Sequence, residues 1–324
     1  KTIEDLDAFL TEAHEKVPNI TTFESGFPRG NTYSDVLAML NAKYEMDSMN
    51  YHMLTFDLNA SDVTLEPIEQ TEMFKEAVTW MKKWYDEGIV SKNELSETDT
   101  KMFENGKTFA KVGLMETAQQ GVTFNVDGAE YGWADLYPDG KYRKDSPLNN
   151  AFAINKNAAN PERLLMLLEL LNTDEEAYDM FMYGVEGETY VKDETGALQY
   201  PEGQDAATST YLGWFNWPFV RQQFNKPSGI ITQEALDAEH KWLEKESLVV
   251  SPLTGFNPDT GSIKTELAQR DQLYDEQGKL LLAGITNGDD VDTAVQKYID
   301  SQKAAGLDAI MSFMQGEADK YVAK

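Results

Sequence analysis

A chain that contains NNAFAINKNAANPERLLMLLELLNTDEEAYDMFMYGVEGETY, residues Asn149–Tyr190, has to place a strand, two capped helices and a glycine-rich turn in close succession. Phe152 and Ile154 alternate with Ala151 and Ala153, the period-two pattern of a short strand. Asn160 is a favourable N-cap, and Pro161 suits the first helical position, where no N–H is needed. Leu164, Leu167, Leu168 and Leu171 predict a buried stripe on this first helix, widened by Leu165 and Met166. Thr173 with Glu176 reads as a capping box for the second helix, and Asp174 and Glu175 suit its positive end. That helix runs through Tyr178 and Phe181 to Gly184. The whole stretch is a unit of an α/β domain.

The order of elements elsewhere fits the same class. Thr2 with Asp5 starts a helix with Ile3, Leu6, Phe9 and Leu10 on its apolar face, and Ile20–Phe23 reads as a strand. ESGFPRGNT, residues 24–32, is a loop punctuated by glycine and proline. A helix follows through Val36, Leu37 and Leu40, and the stretch Met46–Pro67 is irregular with an extended portion at Tyr51–Leu58. Glu72–Glu87 is the strongest helix, with Phe74, Ala77, Val78, Met81, Trp84 and Tyr85 on one face and Gly88 after it. Phe109–Met115 and Tyr131–Tyr137 read as extended segments, Tyr190–Tyr200 as a hairpin, and 232–245, 263–282, 290–305 and 307–321 as helices.

Composition excludes more than it selects. With 324 residues, two lobes are the better expectation. A net charge of −28 argues against nucleic acid or an anionic membrane surface as a partner. The absence of cysteine removes disulfides, thiol nucleophiles and Cys-ligated metals. No run approaches the roughly 18 apolar residues of a membrane span. His14, His52 and His240 stand singly without ligand spacing, and GxSxG, GxGxxG and GxxxxGK[ST] are missing, so no metal or cofactor is expected. Asn287–Asp290 reads as a helix cap and not a calcium loop. Fifty-six carboxylates form acid pairs by chance, so spacing cannot identify a glycosidase pair.

The positive signal is aromatic. Sugars stack their C–H faces on rings while amides and carboxylates take their hydroxyls. Trp214, Asn216 and Trp217, within Trp214-Phe215-Asn216-Trp217, have that make-up. Core packing is the first reading of such large rings, and ligand contact the second. Arg29 and Tyr33, on or just after the punctuated loop, are candidates for exposure and contact.

Several phrases resemble the extracellular solute-binding proteins of sugar ABC transporters, the maltose-binding-like group. Lys1–Leu6 resembles the family's K-T-W-E-E-L helix start, and Phe103–Ala110 its F-x-x-G-x-x-A-M turn into a strand. Tyr131–Pro138 resembles Y-G-x-x-x-x-P, Ala153–Glu162 the returning strand with N-P-E, and Thr173-Asp174-Glu175 a T-D-E helix start. Tyr183–Tyr190, YGVEGETY, is similar to the Y-G-x-E-G-x-x-Y signature of a lipoprotein subgroup. Gly255-Phe256-Asn257 with Lys264–Ala268 resembles that subgroup's C-terminal region. Trp217–Phe224 lacks the Gly-Asn pair of the subgroup's W-x-x-G-N-Q-F phrase.

The resemblance implies an α/β, type II periplasmic-binding-protein two-lobe fold. It places 1–147 in lobe two, 148–250 in the returning part of lobe one, and 251–324 in C-terminal helices packing on lobe two. Family members carry much of lobe one, a signal peptide and a lipid-bearing cysteine before the residues matching Lys1, so an N-terminally truncated fragment is expected. The implied function is capture of an oligosaccharide and its delivery to ABC permease subunits by hinge closure, without catalysis. The implied protein is a monomer on the outer face of the membrane, held by a lipid anchor absent from this chain. The implied ligand-binding residues are Arg29, Tyr33, Glu116, Gln119, Phe256 and Asn257, beside the aromatic cluster of Trp214, Asn216 and Trp217. A carbohydrate-active enzyme using paired carboxylates, and a peptide receptor of the same fold, stay open as alternatives.

Overall fold

The computed structural model describes residues 1–51, 53–113, 125–144, 152–204, 208, 209, 211, 219–227, 237, 241, 242 and 244–323. In chain order these form helix α1 (Ile3–Lys16), strand β1 (Thr21–Glu24), helix α2 (Asp35–Tyr44), and strands β2 (Met46–Tyr51), β3 (Leu54–Asp57) and β4 (Glu66–Pro67). Helix α3 (Glu72–Glu87), strands β5 (Thr108–Lys111) and β6 (Tyr142–Lys144), and helices α4 (Pro161–Thr173) and α5 (Glu175–Met182) come next. Strands β7 (Val191–Lys192), β8 (Leu198–Gln199) and β9 (Leu248–Val250) precede helices α6 (Lys264–Leu273), α7 (Lys279–Leu282), α8 (Val291–Ala304) and α9 (Leu307–Val322). A π turn at Tyr274–Gly278 joins α6 to α7. Packing divides the chain into two units. The described residues of Lys1–Leu114, Thr123–Lys144 and Lys245–Lys324 make the larger, and those of Asp145–Glu244 the smaller.

In the larger unit, β1 and β5 pair in parallel, Phe23 opposite Ala110, and Val90 bridges Phe23 as well. Helix α1 starts on the capping box that Thr2 and Asp5 predict, but Phe9 is 51% exposed and stacks on Phe109 at the surface instead of joining the core. Helix α3 spans the predicted Glu72–Glu87, capped by Thr71, whose hydroxyl accepts from the Phe74 N–H at 3.1 Å. Its Phe74, Ala77, Val78, Met81 and Trp84 are fully buried among α1, α2, α7 and α8, and Trp84 meets Phe23 edge-on at 5.3 Å. Strands β2, β3 and β4 form an antiparallel sheet, and a register shift between Asp47 and Tyr51 breaks the alternation there. That irregularity hides β2 from a period-two reading. Leu54 and Phe56 from β3 pack with Leu267, Ile310 and Met314 of α6 and α9 in a second, smaller cluster.

Arg270 on α6 is buried with Glu69. Its two terminal nitrogens donate to the two carboxylate oxygens at 2.7 and 2.8 Å, and one also reaches the Met53 carbonyl at 3.1 Å. Bidentate geometry suits a guanidinium that has left water. Asp290 caps α8 as expected, accepting from the Thr293 N–H at 2.8 Å.

The smaller unit departs further from the sequence pattern. Residues 152–155 are not in a strand, and among the described residues no strand pairs with them. Helix α4 begins on Pro161, yet only part of its predicted stripe is covered: Leu171 is buried and Leu168 half-buried, while Leu164 and Leu167, like Leu165, Met166 and Leu170, are exposed. Periodicity identifies the helix but cannot say which face has neighbours. The cap of α5 is Asp174 and not Thr173. Asp174 accepts from the Ala177 N–H at 2.9 Å, while the Thr173 hydroxyl donates back to the Glu169 carbonyl at 2.8 Å.

The core of this unit is aromatic: Tyr178, Met182, Tyr183, Tyr190 and Leu198, with Phe181, Phe219 and Phe224 against it. The YGVEGETY phrase is structural. Gly184 sits at φ 89°, where an added Cβ would meet the Thr189 hydroxyl. That hydroxyl donates to the Tyr183 carbonyl at 2.8 Å and accepts from the Val185 N–H at 2.7 Å. The expected hairpin is present as β7 and β8.

Candidate functional site

The punctuated loop after β1 is built over a nest of charge. Ser25 and the residues around Phe27 are buried, and Phe27–Arg29 form a single 3₁₀ turn between Gly26 (φ 99°) and Gly30 (φ 81°). At Gly26 a Cβ would lie 2.7 Å from the Asp35 carboxyl, so glycine is required for the backbone to pass this carboxylate.

Beneath the loop, Glu24 of β1, Asp35 at the start of α2 and Glu94 before β5 are all buried. Arg29 lies among them. Its Nε is 2.8 Å from Glu24 Oε1 without the alignment of a hydrogen bond, its Nη2 donates to Asp35, and Nη2 also donates to the Val112 carbonyl at 2.9 Å. Glu94 accepts from the Ser25 N–H at 2.5 Å, and Asn31 donates to Asp35 at 2.9 Å. Lys111 of β5 pairs with Glu104 at the edge of the group.

Burial governs the electrostatics. It pushes Glu94 up to about 7, against the hydrogen bonds from Ser25 and with help from the charges of Glu24 and Asp35. It pushes Asp35 up to about 6, opposed by Arg29 and Asn31. Burial likewise raises Glu24, with Arg29 and Lys111 pulling the other way. Around neutral pH this nest therefore holds protons as well as charge. Glu24 and Glu94 are closed to solvent, at 1% and 3% exposure, so they lack the access that a glycosidase pair must give its substrate. Among the described residues no group of three or more His, Asp or Glu is placed to hold a metal ion.

The proposed site residues fall in different places. Arg29 turns its guanidinium inward to these acids. Tyr33 is half-buried, its ring 5.4 Å from Tyr274, whose hydroxyl donates to the Thr32 carbonyl at 2.6 Å. Phe256 packs on Tyr321 at 5.5 Å in the smaller cluster, and Asn257 beside it is exposed. Tyr33 packs against the larger cluster, so the two aromatic candidates belong to separate packing groups. Glu116, Gln119, Trp214, Asn216 and Trp217 lie outside the described residues. His14 is half-buried, its Nδ1 2.8 Å from the Thr22 hydroxyl. The smaller unit has a separate open pocket of about 520 Å³ lined by Glu175, Glu176, Asp179, Met180, Tyr190 and Lys192 among others. Glu24, Asp35 and Glu94 carry no mark in the sequence, because burial alone sets these acids apart from the others.

Comparison with known proteins identifies the fold. Residues 252–323 match a protein-family model described as "Domain of unknown function (DUF3502)". A carbohydrate ABC transporter substrate-binding protein of Streptococcus pneumoniae serotype 4 (strain ATCC BAA-334 / TIGR4) is 20% identical over 98% of this chain and 62% of its own length. The chain thus spans less than two thirds of this relative. Among solved structures, the N-glycan transport solute binding protein (NgtS) from Streptococcus pneumoniae superposes with a TM-score of 0.70 at 19% identity, over 100% of this chain and 68% of that one. An HMO-binding, ABC-transporter-associated solute binding protein from Bifidobacterium longum infantis ATCC 15697 gives 0.58 at 13% identity, over 99% and 70%. The chain has the α/β fold of these solute-binding proteins.

Proposed function

We propose that this chain captures an oligosaccharide for a carbohydrate ABC transporter and releases it unchanged to permease subunits. The observation that carries the reading is the likeness, across nearly the whole chain in both sequence and fold, to proteins described as carbohydrate transporter substrate-binding proteins. Structures of the pneumococcal N-glycan protein with Man1GlcNAc and Man5GlcNAc superpose with TM-scores of 0.64 and 0.58, which supports a glycan as the solute.

In this reading 1–147 and 251–324 serve as lobe two and 148–250 as part of lobe one. Ligand selects a closed arrangement by contacts from both lobes. Tyr33, Phe256 and Asn257 contact sugar, with Glu116, Gln119, Trp214, Asn216 and Trp217. Arg29 keeps the shape of the loop that presents Tyr33. The protein acts as a monomer outside the cell, tethered by a lipid.

A thermal-shift screen with mannose- and N-acetylglucosamine-containing oligosaccharides tests this. A bound glycan at 100 times its Kd adds about 2.7 kcal/mol to stability, an upward shift of several degrees. Peptides that shift the melting point where no glycan does would replace the reading with a peptide receptor.

A further inference from the structure

The punctuated loop ties down its own start but not its own end. The Gly30 N–H donates to the Phe27 carbonyl at 2.9 Å, the Asn31 N–H to the Gly26 carbonyl at 3.2 Å and the Asp35 N–H to the Ser25 carbonyl at 2.7 Å. Ser34 then caps α2, its hydroxyl accepting from the Val36 N–H at 3.3 Å. Between these fixed points, and among the described residues, no backbone hydrogen bond reaches Thr32 or Tyr33. Their hold comes from the far end of the chain. The Tyr274 hydroxyl donates to the Thr32 carbonyl across a separation of 242 residues, and the Tyr274 ring lies beside that of Tyr33.

A local departure from α geometry aims Tyr274 at the loop. Tyr274 opens the π turn, and the Lys279 N–H donates to its carbonyl from five residues on. Such turns are rare inside helices and gather at functional sites. Gly278 closes the turn at φ −61°, a conformation open to any residue, so glycine is not there for backbone freedom. Glycine also weakens a helix, so something must require it. An added Cβ at Gly278 would lie 2.5 Å from Tyr274 Cδ2 and 2.9 Å from the Tyr298 hydroxyl. The missing side chain is what lets the Tyr274 ring lie buried across the turn. Tyr298 of α8 is itself fixed, stacked at 6.0 Å on Phe74 of α3 and accepting from the Gln302 amide at 2.9 Å. Packing alone would be served by phenylalanine at 274; the hydroxyl is spent on the loop.

We propose that Tyr274 is a positioning residue for Tyr33, holding the end of the loop in the shape in which Tyr33 meets the solute. In the glycan-receptor reading, on which this rests, Tyr33 touches sugar and Tyr274 does not. Tyr274 lies within the segment 252–323 that matches the domain of unknown function, so in this chain that segment helps to shape the loop between β1 and α2.

Two measurements on the whole chain test it. Without ligand, chymotrypsin cleavage after Tyr33 reads how often the end of the loop opens, since cleavage of a transiently opened segment tracks its population. Tyr274→Phe keeps the ring and removes the hydroxyl, so cleavage there should speed about fivefold, the loss of one hydrogen bond, with sites outside the loop unchanged. Gly278→Ala displaces the ring, keeps the hydroxyl and should give the same pattern. An unchanged rate after Tyr33, or a rise shared equally by every site, would mean that Tyr274 only packs and would overturn the proposal. With Man5GlcNAc as the probe, calorimetry should show Kd raised about fivefold by Tyr274→Phe, and raised no further by it once Tyr33→Ala is in place. Costs that add in the double variant would also overturn the proposal. A wild-type chain that binds no glycan would overturn the receptor reading, while the cleavage rates would still decide whether Tyr274 holds the loop.

Discussion

Glu94→Gln should stabilise the protein above neutral pH and leave it unchanged in mild acid. A carboxyl whose folded pKa is raised binds its proton more tightly in the folded chain than in the unfolded one. Its contribution therefore favours folding in full below the unfolded pKa and is lost as pH rises through the folded value. For Glu94 that window runs from 4.5 to about 7, and for Asp35 from 3.8 to about 6. At about 1.4 kcal/mol per pKa unit, ionising Glu94 in place costs on the order of 3 kcal/mol. Asp35 carries a similar cost, and the two overlap because each charge raises the other. Glutamine keeps the acceptor for the Ser25 N–H and removes the charge, so roughly 1–3 kcal/mol should return at pH 8. A domain of this size gains about 2–4 °C per kcal/mol. Thermal unfolding at pH 5, 6, 7 and 8 is the assay. The wild-type melting temperature should fall across this range and the variant's should fall less, the two meeting near pH 5. Parallel curves would refute the assignment of the buried proton to this cluster.

Three further outcomes follow from packing. Arg270→Met strands the Glu69 carboxylate in a site about 1% exposed, which should cost about 3–5 kcal/mol in denaturant unfolding; a loss below about 1 kcal/mol would mean the pair is dispensable. Gly284→Ala puts a Cβ 2.4 Å from the Met81 carbonyl oxygen at φ +80°, so a loss of at least about 2 kcal/mol is expected, and a neutral result would contradict that close approach. Leu165→Gln and Met166→Gln on the exposed face of α4, 58% and 62% accessible, should each change stability by less than about 0.5 kcal/mol. A loss of about 2 kcal/mol or more in urea unfolding would show instead that this face is covered.

Local signals carried the fold where one element settles its own geometry. Thr2 with Asp5, the apolar face of Glu72–Glu87 and the Asp290 cap depend on neighbours three or four residues away, and all three are found. The failures need distant partners. The leucines of α4 have helical spacing whichever side is covered, and 152–155 have strand alternation but no partner strand among the described residues. Asp174 displaces Thr173 as a cap because both can accept from the first turn. At the site, sequence marks Arg29 as a loop residue but cannot show that its guanidinium turns inward. Asp47, Glu24 and Glu94 look like any other acid among fifty-six until tertiary packing buries them.

Calorimetric titration of the chain with defined oligosaccharides, followed by analysis of the recovered sugars, tests the account most directly. Saturable binding of at least one glycan is expected, weakened by Phe256→Ala, with the sugar recovered intact. Heats indistinguishable from dilution for every glycan, or recovery of cleaved sugar, would contradict it.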